Sequence, residues 1–292
     1  VAMLLGAAEV LSKIKNDISG TVVFLFQPAE EGAPVGEQGG AELLIKEGLI
    51  KKYGIQTMFG LHMTPGLDAG KIQYKAGGTM AAADRLEIKI KGKQTHGSRP
   101  WAGVDPVVVS AQVIMGLQTI ISRQADLTRE AAVITIAQIN GGVRNNIIPE
   151  EVTLIGTIRT LDVDMQRSIH TKIHRTATNI AESAGATAEV TITPGYPITY
   201  NDPKLTADMI ASLETAAGES NVRVTVASTG AEDFAFYAKE VPSFFFFLGG
   251  KDPKMSQFDV ASSHTPDFYL DESGFVLGVK AFWQLVTDYG SR

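Results

Sequence analysis

The chain has 292 residues, of which 44% are apolar and 20% charged, with a formal net charge of −6 and no cysteine. A single core stops growing near ~250 to 300 residues, so two domains are expected, with the composition of an ordinary globular protein. Negative charge without a Lys/Arg stripe argues against a nucleic-acid partner, and no unbroken apolar run reaches the ~18 residues of a membrane span. Without thiols, disulfides and cysteine nucleophiles are excluded from these residues, which suits a cytoplasmic setting.

The first residues, VAMLLGAAEVLSKI, read as an amphipathic helix already under way, with no cap or targeting signal ahead of it. Thr21 to Phe26 is a continuous apolar run bounded by Gly20 and Pro28, the pattern of a strand buried on both faces. Gly39 to Leu49 carries helical spacing, and Gln56 to Leu61 and Lys71 to Tyr74 read as strands of the same α/β domain. From Arg85 the texture changes: Leu86, Ile88 and Ile90 alternate with Glu87, Lys89 and Lys91, a strand with one wet face.

Asp105-Pro106 predicts a capped helix running to Ile121, followed by strands at Val133 to Ile139 and Val152 to Ile158. A second helix, Asp164 to Ser183, ends at Gly185, and Ala188 to Ile192 is a last strand. The order is βαββαβ, a ferredoxin-like unit spanning 84–194 and inserted in an α/β domain made of 1–83 and 195–292. After Pro194 come a helix opened by Asp202-Pro203, strands at Val222 to Val226 and Ser243 to Leu248, and a final helix after Asp271.

The sharpest chemical signal is QPAEEG, Gln27 to Gly32, where two adjacent carboxylates follow an apolar strand. In open α/β sheets ligands gather beyond the carboxyl ends of strands, and paired carboxylates repel unless a cation or shared proton relieves them. A solvated acidic loop is the plain alternative. His62, after the strand in FGLH, and His264, in SSHTP, are each ambiguous alone. Together with one Glu they form a donor set suited to zinc, manganese or cobalt, leaving the other Glu free as a base. His96 in KQTHGSRP lies in the inserted unit. His170 and His174 are spaced i,i+4 but lack the intervening Glu of a metal-binding helix, so they read as ordinary helix polar residues. Asn145, Asn146 and Arg159 are assigned to the two central strands of the insertion, where Asn and Arg suit a carboxylate.

The segments QPAEEG, FGLH, KGKQTHGSRPWAGVDPV, NGGVRNNIIP, GTIRT, TGAEDF and SSHTPDF, in this order, resemble the amidohydrolase branch of the M20 metallopeptidases. That resemblance implies a mostly parallel-sheet catalytic domain with an inserted dimerisation domain, and hydrolysis of the amide bond of N-acyl amino acids or small peptides with a free carboxylate. It implies Glu30 as general base and acid, Glu31, His62 and His264 as metal ligands, and Asn146 and Arg159 as holders of the substrate carboxylate. His96 matches a residue that reaches the partner subunit's site in a homodimer and polarises the scissile carbonyl; Gly230 to Phe234 match a neighbouring loop with no assigned role. The cofactor implied is a pair of divalent ions, drawn from zinc, manganese, cobalt and nickel. The family takes further ligands from a CGHDGH-like motif ahead of the opening helix. That motif is not among these residues, so the metal site is expected to be incomplete within them and the protein to continue upstream or be truncated. Two rivals stand beside this reading: a binding or assembly protein on the same fold, and an aminopeptidase or dipeptidase, which needs an acidic group for a free amine.

Overall fold

The computed structural model describes residues 1–34 and 37–291. In chain order the first elements are α1 (Ala2–Lys13), α2 (Gly40–Lys46), α3 (Leu49–Tyr53), β1 (Met58–Asp68), β2 (Ile72–Tyr74) and β3 (Gly77–Met80). Then follow β4 (Ala82–Lys91), β5 (Thr95–His96), α4 (Pro106–Gln124), β6 (Ala132–Gly141), β7 (Ile147–Ile148), β8 (Glu151–Thr160), α5 (Val163–Ser183) and β9 (Thr187–Thr193). The chain closes with β10 (Thr199–Asn201), α6 (Pro203–Ala217), β11 (Val222–Val224), α7 (Ala235–Glu240), β12 (Ser243–Lys251) and α8 (Phe275–Gly290).

The chain divides into two compact units. One comprises Val1–Thr79, Thr199–Ala227 and Asp233–Arg292; the other comprises Met80–Ile198 and Ser228–Glu232.

In the first unit the sheet order is β1-β12-β2-β11. β1 and β12 run parallel, as do β2 and β11, while β12 and β2 are antiparallel, so the sheet is mixed. β12 is buried along its whole length, which is why it reads as a run of four phenylalanines. Phe244, Phe246 and Leu248 pack with Leu205, Met209 and Leu213 of α6 and Leu277, Ala281 and Leu285 of α8. Each of the Phe, Leu and Met side chains contributes about 1.5–3 kcal/mol on burial.

Thr21 to Phe26, expected as a buried strand, belongs to no strand, and Phe26 is exposed. Apolar content supplies the tendency to extend, but a strand needs a ladder partner. Among the described residues no strand forms a ladder with this segment. β1 also differs from expectation: it runs through His62 to Asp68, and its regular ladder with β12 holds as far as Thr64 before the register shifts.

The second unit is the βαββαβ insertion, with antiparallel sheet order β6-β8-β4-β9. Leu86, Ile88 and Ile90 of β4 and Leu154 and Ile158 of β8 face α4 and α5 in one core. Asp105 caps α4 by accepting from the N–H groups of Val107 and Val108, and Asp162 caps α5 through the Met165 N–H. By length and composition α4 is apolar enough to cross a membrane, against the sequence expectation, because scattered Ser and Gln interrupt the run without making it polar. Val109, Val113, Leu117 and Ile120 nevertheless pack into the core of this unit, the place of a core helix.

Candidate metal centre

In the first unit the QPAEEG loop is held from its N-terminal side. Asp233, 2% exposed, accepts hydrogen bonds from Gln27 Nε2 at 2.6 Å and from the Ala41 N–H at 2.7 Å. Tyr237 on α7 donates its hydroxyl to Gln27 Oε1. Burial, with the Asp233 charge as a smaller cause, pushes the Tyr237 phenol well above its ordinary value, so it remains a donor throughout the neutral range. The amide of Gln27 is thereby oriented on both sides, its NH₂ to a carboxylate and its oxygen to a phenol. Phe234, next to Asp233 in the chain, packs on β12 with its ring tilted 41° to that of Phe245 at 4.9 Å between centroids.

The backbone carries the same arrangement onward. Gly40 donates its N–H to the Pro28 carbonyl at 3.2 Å, and has φ 67°. A Cβ at Gly40 would lie 2.7 Å from Asp233 Oδ2, so the position needs glycine on both counts. Ala29 takes φ 59°, which turns Glu30 and Glu31 apart: Glu30 is half-buried and Glu31 exposed. A carboxylate oxygen of Glu30 lies within 4.8 Å of one of Asp233. Like charges this close favour a cation or a shared proton.

Glu31 meets His264. Nε2 of His264 is 3.6 Å from Glu31 Oε1, although the two residues come from opposite ends of the chain. His264 has φ 64°; among the described residues, it and Ala29 are the non-glycine residues with positive φ. His62 lies within β1, rather than past its end, and its ring stands edge-on to Phe247 at 6.4 Å. The loop that carries His264 is anchored at its start: Lys251, 8% exposed, donates to Asp68 at 2.7 Å and to the Met255 carbonyl at 2.8 Å.

The substrate residues expected in the insertion occupy two places in the second unit. Arg159 is on β8, a central strand, half-buried and opposite Ala83 and Val133. Asn145 and Asn146 are not on a central strand; they form the turn before β7, which among the described residues pairs with β5 alone. This puts Asn146 beside His96. His96 is opposite Ile147, and the Gly97 N–H donates to the Asn146 carbonyl at 2.8 Å. His170 bonds the buried Asp84 at 2.7 Å, with Gln166 Nε2 donating to the same oxygen at 2.8 Å, so its role is structural.

Asp233 is the residue that sequence reasoning passed over. Its partners Gln27 and Tyr237 are distant or unremarkable in sequence, and the only signal was TGAEDF, an acidic pair between a turn and an apolar residue.

An α/β unit carrying Glu and His on or beside its strands, with a ferredoxin-like insertion, is the arrangement of a metallopeptidase-type hydrolase. The chain belongs to peptidase family M20/M25/M40, whose model matches residues 1–288, and it is an M20 hydrolase. It is 34% identical over 293 residues to thermostable carboxypeptidase 2 of Saccharolobus solfataricus, spanning 100% of this chain and 72% of that protein. It is 34% identical over 286 residues to N-acetylcysteine deacetylase of Bacillus subtilis, covering 97% and 70% of the two chains. The crystal structure of the Bacillus subtilis YXEP protein, a dinuclear metal-binding peptidase of the M20 family, superposes with a TM-score of 0.77 at 30% identity, over 98% of this chain and 70% of that one.

Proposed function

We propose that this protein hydrolyses the amide bond of N-acyl amino acids, or of small peptides with a free carboxylate, using divalent metal held in part by Glu31, His62 and His264. The observation that carries the reading is the 3.6 Å approach of Glu31 and His264. A carboxylate and an imidazole brought together are a donor pair that fits zinc, manganese, cobalt or nickel, and a two-ion site is supported by the dinuclear relative. Bound metal would supply positive charge that polarises the amide carbonyl and eases deprotonation of water.

The chain's own groups would do the rest. Glu30, half-buried and close to the Asp233 carboxylate, would take the proton of the attacking water and pass it to the leaving nitrogen. Arg159 and Asn146 would bind the substrate carboxylate, turning remote contacts into orientation of the scissile bond. His96 would donate a hydrogen bond to the carbonyl oxygen as it gains charge. In this reading His96 serves the partner subunit of a homodimer formed through the insertion, whose edge strand β6 leaves Ile139 60% exposed. The same reading places the protein in the cytoplasm.

The test is hydrolysis of a panel of N-acetyl, N-benzoyl and indole-acyl amino acids in the presence of zinc, manganese or cobalt. Turnover of carboxylate-bearing substrates and not of their amides is expected. Glu30→Ala should abolish turnover with metal content unchanged, and mixing His96→Ala with Glu30→Ala subunits should restore part of the activity. Turnover confined to substrates with a free amine would favour an aminopeptidase instead.

A further inference from the structure

We propose that Ser98 is a positioning residue that fixes His96 in its Nε2–H form and so presents a hydrogen-bond donor to the substrate carbonyl. This inference rests on the reading of His96 as the carbonyl-polarising residue, and deepens it.

The argument is one of donors and acceptors. The backbone N–H of Ser98 points at His96 Nδ1 at 3.1 Å, and an amide N–H can only donate. Nδ1 must therefore carry a lone pair, and in the neutral ring the proton resides on Nε2. The Ser98 hydroxyl lies 2.8 Å from the same nitrogen and donates to it, since that nitrogen has no proton to give. An imidazole with free choice exchanges between its two neutral forms; here two donors converge on one nitrogen and select one form. The partner of a ring nitrogen decides what the other nitrogen can do. Nε2–H is the form that can stabilise a developing oxyanion, whereas the alternative tautomer would present a lone pair and repel it.

The local backbone is built to hold this geometry. His96 is bridged to Ile147, Gly97 donates to the Asn146 carbonyl, and Arg99 donates its N–H to the His96 carbonyl at 2.8 Å. A Cβ at Gly97 would meet the Asn146 carbonyl carbon and oxygen at 3.2 Å, tighter than ordinary contact, so glycine lets the two segments close and turns Ser98 back toward the ring. The ring itself is exposed, leaving Nε2 open to a ligand.

The experiment is a long-range ¹H–¹⁵N correlation spectrum of histidine-labelled protein above the imidazole titration range, with His96 assigned by its loss in His96→Gln. His96 should show the Nε2–H pattern alone, and Ser98→Ala, which removes the hydroxyl donor but keeps the backbone N–H, should shift it part of the way toward the mixed pattern of free imidazole. On a turned-over substrate, Ser98→Ala should lower kcat about tenfold with little change in KM, and Ser98→Thr should restore it. An Nδ1–H pattern in the wild type, or an unchanged spectrum and kcat in Ser98→Ala, would overturn the proposal. If His96→Gln keeps full activity while the spectra behave as expected, the tautomer assignment stands and the polarising role of His96 fails.

Discussion

His264 Nε2 lies 3.6 Å from Glu31 Oε1, and both side chains are 71% exposed. A carboxylate–imidazole contact that open to water contributes about 0–1 kcal/mol. The loops that deliver the two groups each hold a non-glycine residue at positive φ, Ala29 and His264 themselves, at a cost of about 1–3 kcal/mol each. The pair alone does not offset that strain. A ligand shared by the two side chains would, and backbone strain of this kind concentrates at binding sites.

The network behind Glu30 should be measurable in stability. Asp233→Ala removes the acceptor of both Gln27 Nε2 and the Ala41 N–H, leaving donors at a buried position without partners. Each such group costs about 1–3 kcal/mol, so chemical denaturation should show a loss of at least 2 kcal/mol or so. Asp233→Asn, which keeps the shape and one acceptor oxygen, should lose less. Equal stability of the alanine variant and the wild type would mean the network is not formed.

Asp68 gives a pH dependence. Hydrogen bonds from Lys251, then from Lys71, hold its carboxyl below the ordinary value of 3.8. A carboxyl depressed by folding contributes stability that is fully present above its unfolded value and is lost as pH falls through the folded one. Acid unfolding of the wild type should therefore steepen below about pH 3.8. Lys251→Met, which removes the stronger of the two donors, should flatten that part of the profile and loosen the segment leading to His264. Parallel profiles for the two proteins would contradict the assignment.

In the insertion, Asp84 is 2% exposed and accepts from His170 and Gln166 on α5. His170→Ala leaves a buried carboxylate with one side-chain donor fewer, a loss of about 1–3 kcal/mol. His174→Ala, one turn further on, should change stability by less than about 0.5 kcal/mol, as exposed positions do. Thermal unfolding distinguishes the two, and equal effects would argue against the Asp84 bond.

Much of the fold was legible in local patterns. Asp105 and Asp202 cap their helices through side-chain oxygens where the Asp-Pro pairs were read, and the alternation of Leu86, Ile88 and Ile90 gave the face of β4, whereas the helix expected from Asp164 is capped earlier, by Asp162. What local pattern does not contain is the partner. Thr21 to Phe26 has strand composition, but pairing is decided by a neighbour far away in sequence, and no ladder forms with it among the described residues. Asn146, expected on a central strand, lies in the turn ahead of β7, where the Ile147 N–H donates to the Arg144 carbonyl. At the site, motif order named Glu31 and His264 and the structure brought them together. The supporting role of Asp233 was invisible because it exists only once Gln27, Ala41 and Tyr237 are folded around it.

The claim on which the rest depends is that Glu31 and His264 hold one cation. Cobalt(II) titration followed by its visible absorption reads this directly in the wild type, Glu31→Ala and His264→Ala. The account predicts a saturable spectrum with nitrogen and oxygen ligation in the wild type and affinity weakened tenfold or more in each variant. Identical titrations in all three proteins, or no binding in the wild type, would contradict it.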